Sequence, residues 1–247
     1  MRLVVTSLLL TAACQAQLGR MPNGDKPDAA KAADAAVDAE PIDAAPDANP
    51  CGNNRVVYLN FTGATIAKAN TADATQNDAA WVGLDGGGAT TATMPAWTGN
   101  AASIDAIVNQ LTTTFTAIDP NIKFVTTAPT NGPYIMIGFG GGMGNAHVPY
   151  TGAVNTLDCG DTNKSDLGWV FQTGNNTTAA NYAAGAIGYG MGMGGTGNSG
   201  DCMCSWNSNC APNGNACTFS SNINTQNGCA NAANPQNDVA VLQTFCD

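Results

Sequence analysis

One histidine, His147, and one glutamate, Glu40, stand in a chain of 247 residues. A zinc centre made of three neutral imidazoles cannot be assembled from a single ring, whatever the fold. Basic side chains are almost as scarce. Beyond residue 50 only Arg55, Lys68, Lys123 and Lys164 remain, and the formal net charge is −10. Such a chain has nothing to neutralise a run of phosphates, which excludes nucleic acid as a partner. Long apolar runs are missing too. The most apolar stretch, residues 3–10, is too short to span a bilayer.

What the chain does have is Ala, Gly, Asn and Thr in abundance, and nine cysteines. Arg2 followed by the apolar 3–10 run reads as an export signal, 1–14. Thr11-Ala12-Ala13-Cys14 resembles a bacterial lipobox with Cys14 as the lipidated residue; the other reading is cleavage after Cys14-Gln15-Ala16 and free secretion. The product is then an outer-membrane or cell-surface lipoprotein, or a secreted protein, and touches a membrane only through that anchor. Residues 15–50 hold seven acidic residues and prolines at 22, 27, 41, 46 and 50, with no apolar periodicity. A segment of this kind cannot bury enough apolar surface to offset its ordering entropy and reads as a disordered acidic tether.

Residues 51–247 are expected to fold as one α+β domain. Strands are expected at 55–61, 121–127, 134–139 and 167–171, where β-branched and aromatic residues concentrate. Ile104, Ile107, Val108, Leu111 and Phe115 form one helical stripe within 103–118, with Ser103 as N-cap and Asp105 in the first turn. A second helix is expected from 177 or 178 and a last one over 235–245. Residues 62–100 read as a long loop with short extended pieces. The strand–helix–strand opening implies a partly parallel sheet. Cys51, Cys159, Cys202, Cys204, Cys210, Cys217, Cys229 and Cys246 form an even set, which in an exported chain reads as disulfides. Spacing leaves roughly 105 pairings open.

The stretch 183–206 carries the functional argument. It runs Ala-Ala-Gly185-Ala186-Ile-Gly188-Tyr189-Gly-Met191-Gly192-Met193-Gly-Gly195 and continues to Asp201-Cys202-Met203-Cys204-Ser205-Trp206. Aligned with H-E-x-x-H-x-x-G-x-x-H, it resembles the metzincin zinc-metallopeptidase motif, secreted bacterial branch, with its chemistry removed. Gly185, Tyr189 and Gly195 stand where the histidines would be, and Ala186 where the glutamate would be. The motif glycine is kept at Gly192. The resemblance implies a mixed sheet carrying two main helices, the second holding the first two ligand positions. It further implies a turn at Gly192, a methionine turn at Met203, a C-terminal helix and a disulfide-rich C-terminal part. It also extends to Asp158-Cys159-Gly160-Asp161, similar to an element of secreted bacterial relatives.

The family's zinc is expected to be absent, because Gly185, Ala186 and Gly195 carry no donor atoms and Tyr189 only a phenol. Met191 and Met193 are expected to fill the vacated space. Other chemistry is thinly signalled. Cys202-Met203-Cys204 suits Cu(I) only if reduced. The 161–166 segment has a calcium-loop flavour at Asp161 but lacks the glycine at its sixth position and the acid at its twelfth. His147 lies on an apparent loop, a weak candidate base for a serine hydrolase. The expected function is that of an exported, lipid-anchored pseudo-metalloprotease with a binding or structural role at the cell envelope. Its partner would be a peptide or an envelope component. The alternative is a secreted hydrolase or peptidase with an unrecognised metal or Asp/Tyr-based site near Asp158, Tyr189 and Asp201; a passive structural surface protein is the third reading.

Overall fold

The structure is a computed structural model and describes residues 55–206, 210, 212–226, 228–229 and 235–244. The expected export signal, Cys14, the tether, Cys51 and Cys246 lie outside the described residues.

The architecture is α+β. The strands are β1 (Val56–Asn60), β2 (Ala64–Lys68), β3 (Asp78–Ala79) and β4 (Thr91–Met94). Helix α1 (Ala101–Thr116) follows, then β5 (Lys123–Val125) and β6 (Ile135–Phe139). The short α2 (Met143–Ala146), β7 (Ala153–Val154) and β8 (Leu167–Val170) lead to α3 (Asn176–Gly190). Strand β9 (Gly195–Thr196), a 3₁₀ turn (Cys202–Trp206), β10 (Thr225–Gln226) and α4 (Asp238–Gln243) complete the order.

Five strands form the main sheet in the order β5-β1-β6-β8-β7. The first four run parallel, and β7 closes one edge antiparallel to β8. Side chains alternate across it as the pleat requires. Val57, Leu59, Ile135 and Ile137 face one core with α1 and α3. Tyr58, Met136, Leu167 and Trp169 face a second core on the opposite side. Both faces of the sheet are therefore covered, which is the usual condition of parallel strands.

The second core corrects the reading of 62–100 as a long loop. Strands β3, β2 and β4 form their own three-stranded sheet, and Ile66, Ala92 and Met94 from it, with Trp81 just after β3, pack onto the main sheet. Trp81 donates its indole N–H to the Leu167 carbonyl at 2.8 Å. Strand β4 does alternate buried and exposed, but its buried residues are Ala92 and Met94 among threonines, too weak a hydrophobic contrast to read.

Helix α1 buries Ile107, Leu111 and Phe115, with Ile104 and Val108 partly covered. Its N-cap is Asn100, not Ser103: the Asn100 side chain accepts from the Ser103 N–H at 2.9 Å. Asp105 consequently falls outside the first turn. The Ser103 hydroxyl instead donates to Asn176 at the start of α3. Asn175 caps α3 by accepting from the Thr178 N–H, and Asn237 caps α4, which is shorter than the expected 235–245.

Candidate functional site

Helix α3 buries ten of its fifteen residues, among them Ala179, Ala180, Ala183, Ala184, Ala186 and Ile187. A helix apolar on all sides is a core helix. It lies against α1, β8 and the 3₁₀ turn. Its three glycines, at 185, 188 and 190, each weaken helix by about 1 kcal/mol relative to Ala. Packing sets the length here, and small side chains allow that packing to be close.

Gly185 shows how close. A Cβ built there would lie 2.3 Å from Nε1 of Trp206 and 2.8 Å from Oγ of Ser205. One helical turn later, the Tyr189 ring stacks on the same indole, with centroids 4.4 Å apart and planes 17° from parallel. Residues 185 and 189 share a helix face by their i,i+4 spacing. Trp206 therefore covers the face from which two imidazoles would have to project. Ala186 is fully buried, and its carbonyl accepts from Nδ2 of Asn155 at 2.8 Å. Gly195 pairs in β9 with Gln226 of β10. Gly192 turns the chain with φ +87°, a conformation that favours glycine.

Beneath the helix, Met203 is fully buried, and its Sδ lies 2.7 Å from where a Gly188 Cβ would stand; Met193 Sδ is 3.0 Å from the same point. Met191 and Met193 are both buried. The 3₁₀ turn that carries Met203 and Trp206 is fastened by two disulfides, Cys202–Cys217 and Cys204–Cys210. A third, Cys159–Cys229, ties the 158–161 loop to the tail beside Gly192. The cysteines of Cys202-Met203-Cys204 are thus half-cystines, which removes them as thiolate ligands for Cu(I).

The motif positions do not fit a zinc ion. Three of the four have no donor, and the fourth is a phenol packed on an indole. Burial, with Tyr150 nearby, pushes the Tyr189 hydroxyl above its ordinary range, so it stays neutral.

Against this helix face opens a cleft of about 630 Å³. Its lining includes Tyr189, Trp206, Ser205, Tyr150, Leu84 and Asn155, and among the described residues no charged side chain. No family model matches this chain, and no curated protein matches it either.

The carboxylates lie elsewhere. Asp158, Asp161 and Asp166 bring oxygens within 4.8 Å of one another. Asp161 is gripped by both terminal nitrogens of Arg55, and Lys164 Nζ adds a contact at 2.8 Å. Asp158 accepts from the Thr162 hydroxyl and the Asn163 N–H. Asp166 accepts from Asn163 Nδ2, and its other oxygen is buried without a partner. Burial first, then Asp158 and Asp161, push the Asp166 carboxyl up to about 8. Two cations and one proton thus balance three carboxyls. Calcium takes six to eight oxygens, and here it would have to displace Arg55 from Asp161. The cluster fits an internal ion-pair hub that fastens this loop to the start of β1.

Asp201 is buried and accepts from the Met203 N–H at 2.8 Å. Asp238 is buried at the start of α4, where Gln236 donates to it, and burial with Asp201 nearby pushes it to about 7. His147 is the left-handed cap of α2 (φ 56°), half-exposed beside Asp85. No serine of the cleft lining is bonded to it.

In the sequence Trp206 ends the 183–206 stretch without a role, and Tyr150, Leu84 and Asn155 carry no signal. The available signal was Gly185 itself, since a glycine on a helix face often marks close approach of another group.

Proposed function

We propose that this chain is a pseudo-metalloprotease: a metzincin-like domain, exported and lipid-anchored at Cys14 or secreted, that binds at its cleft without catalysis. The carrying observation is the covering of Gly185 and Tyr189 by Trp206, on the helix face where the family places ligands. Several features support the family reading. One main sheet bears two long helices, α1 and α3. The chain turns at Gly192, a buried methionine lies under the motif helix, and a short helix closes the chain.

The rival reading is a secreted hydrolase using Asp158, Tyr189 and Asp201. It needs those groups in one cavity. Neither aspartate lines the cleft that holds Tyr189, and Asp201 is tied to the backbone under Met203. Among the described residues no helix is long and apolar enough to cross a membrane.

The test is a peptidase assay on the full exported chain, with zinc supplied and denatured casein as substrate. The proposal expects cleavage no faster than the buffer control. Chelator-sensitive cleavage that follows the protein through purification would overturn it.

A further inference from the structure

We propose that the cleft is a binding site for a neutral saccharide, a ligand that stacks its rings on aromatic faces and needs no counter-charge. This deepens the binding-protein reading and rests on it.

Three observations point this way. The first is chemical uniformity. The described lining of the cleft has aromatic side chains (Tyr150, and Tyr189 stacked on Trp206), neutral hydroxyls (Thr151, Ser205 and the two phenols) and no charged side chain, in a protein of net charge −10. Burial, then Tyr150, push the Tyr189 hydroxyl up, and Tyr150 is exposed to water. A pyranose ring matches this set. Its C–H face carries partial positive charge that suits the negative face of an aromatic ring, while its edge hydroxyls exchange hydrogen bonds with other hydroxyls. Ser205 donates its own proton to the Cys202 carbonyl at 3.2 Å, which leaves its oxygen free to accept from a ligand.

The second is exposure. The large hydrophobic side chains exposed among the described residues are Leu84, Met143 and Tyr150. Leu84 and Tyr150 belong to one cleft, and Met143 stands outside its described lining. The Asp85 N–H donates to the His147 carbonyl at 3.0 Å, and the Val148 N–H to the Met143 carbonyl at 3.2 Å, so the 84–85 loop and the 143–150 segment are held together. Leu84 and Tyr150 line the cleft directly. Apolar exposure gathered at one cleft mouth is the pattern of a binding site, not of scattered surface residues. The volume of about 630 Å³ lies in the range of ligand sites and offers room for about two or three sugar rings.

The third separates a saccharide from an extended peptide. An extended peptide in this cleft would add a strand to the sheet edge that lines it. That edge is β7, two residues long, and both Ala153 and Val154 are buried; the other edge, β5, is not part of the described lining. The following Asn155 has its side chain already committed to the Ala186 carbonyl and the Thr156 N–H. The edge offers few ladder bonds, and the aromatic wall offers more.

The structure also supplies a reporter. Of the four tryptophans, Trp81, Trp97 and Trp169 are buried in the two cores, and Trp206 alone is half-buried in the cleft wall. Titration of the full chain with cellopentaose, chitopentaose and maltopentaose should change tryptophan emission saturably for at least one of them, with matching heat in calorimetry. The affinity should be insensitive to salt, because no charge takes part. Tyr150→Ala, at an exposed position, should weaken binding about tenfold. Trp206→Phe should abolish the emission change and weaken the calorimetric binding, because the indole belongs to the aromatic wall. Absence of heat and emission change with all three sugars overturns the saccharide proposal, as does preferential binding of a neutral peptide of similar length. Either result leaves the casein assay untouched, so a failed ligand class and a failed pseudoenzyme reading are told apart.

Discussion

Trp206 stands within 2.3 Å of the point where a Gly185 Cβ would be. Glycine at 185 is thus required by packing, although helix propensity argues against it. Gly185→Ala should gain about 1 kcal/mol of propensity and lose about 1–3 kcal/mol to overpacking, because the indole is rigid and held by disulfides on both sides. Net destabilisation of about 1 kcal/mol in urea denaturation is the expected outcome. Gly188→Ala meets only the flexible ends of Met203 and Met193, so it should fall closer to neutral. A double-mutant cycle with Trp206→Ala should return a coupling of about 1 kcal/mol or more for residue 185. Additive effects would show that the two do not touch.

The Cys202–Cys217 bond closes a span of 15 residues and holds the turn that carries Trp206. Replacing both cysteines with alanine should cost about 3 kcal/mol by the loop-entropy model. It should also shift tryptophan emission to the red as Trp206 loosens. A loss of stability with unchanged emission would mean that the tail disulfide does not position the cleft wall.

Two buried carboxyls predict an unusual pH dependence. Asp166 is pushed up to about 8 and Asp238 to about 7, against an ordinary value of 3.8. The native state therefore holds these protons at pH values where the unfolded chain has released them. Stability from this source is fully present below about pH 4 and is lost progressively as pH rises towards 8. The denaturation midpoint should rise on going from pH 8 to pH 5. Asp166→Asn, which keeps the acceptor for Asn163 and removes the charge, should flatten that slope and be stabilising at pH 8. A midpoint that falls between pH 8 and pH 5 in the wild-type chain would contradict the assignment.

Gly192 holds φ +87°. Gly192→Ala should cost about 1–2 kcal/mol from the left-handed conformation alone, and more from contact with the Asp158 carbonyl at 3.0 Å. Thermal denaturation checks this; an unchanged midpoint would mean that the turn relaxes into another conformation.

Legibility from sequence followed the size of the side chains. Helix α1 could be read because Ile107, Leu111 and Phe115 are large and its opposite face is polar. Strands β1, β6 and β8 could be read from their β-branched and aromatic runs. The small sheet of β2, β3 and β4 could not, because alanines and threonines give little contrast. Helix α3 has small residues buried on every side, so its periodicity carries no face. At the candidate site, the missing donors were visible at once in the census of histidine and glutamate. What replaces them was not. Trp206 meets Gly185 across 21 residues, and Arg55 meets Asp161 across 106; neither pairing leaves a local pattern. The partners of Cys159, Cys202 and Cys204 were equally beyond reach, since pairing depends on the fold and not on spacing.

The central claim is that the motif face of α3 cannot hold zinc. The full chain, exported through an oxidising compartment, should be dialysed against zinc and then against buffer, and its metal counted by mass spectrometry. The account predicts zinc far below one per chain. One zinc per chain that survives dialysis, and is lost when Tyr189 is replaced by phenylalanine, would contradict it and reopen catalysis at this helix.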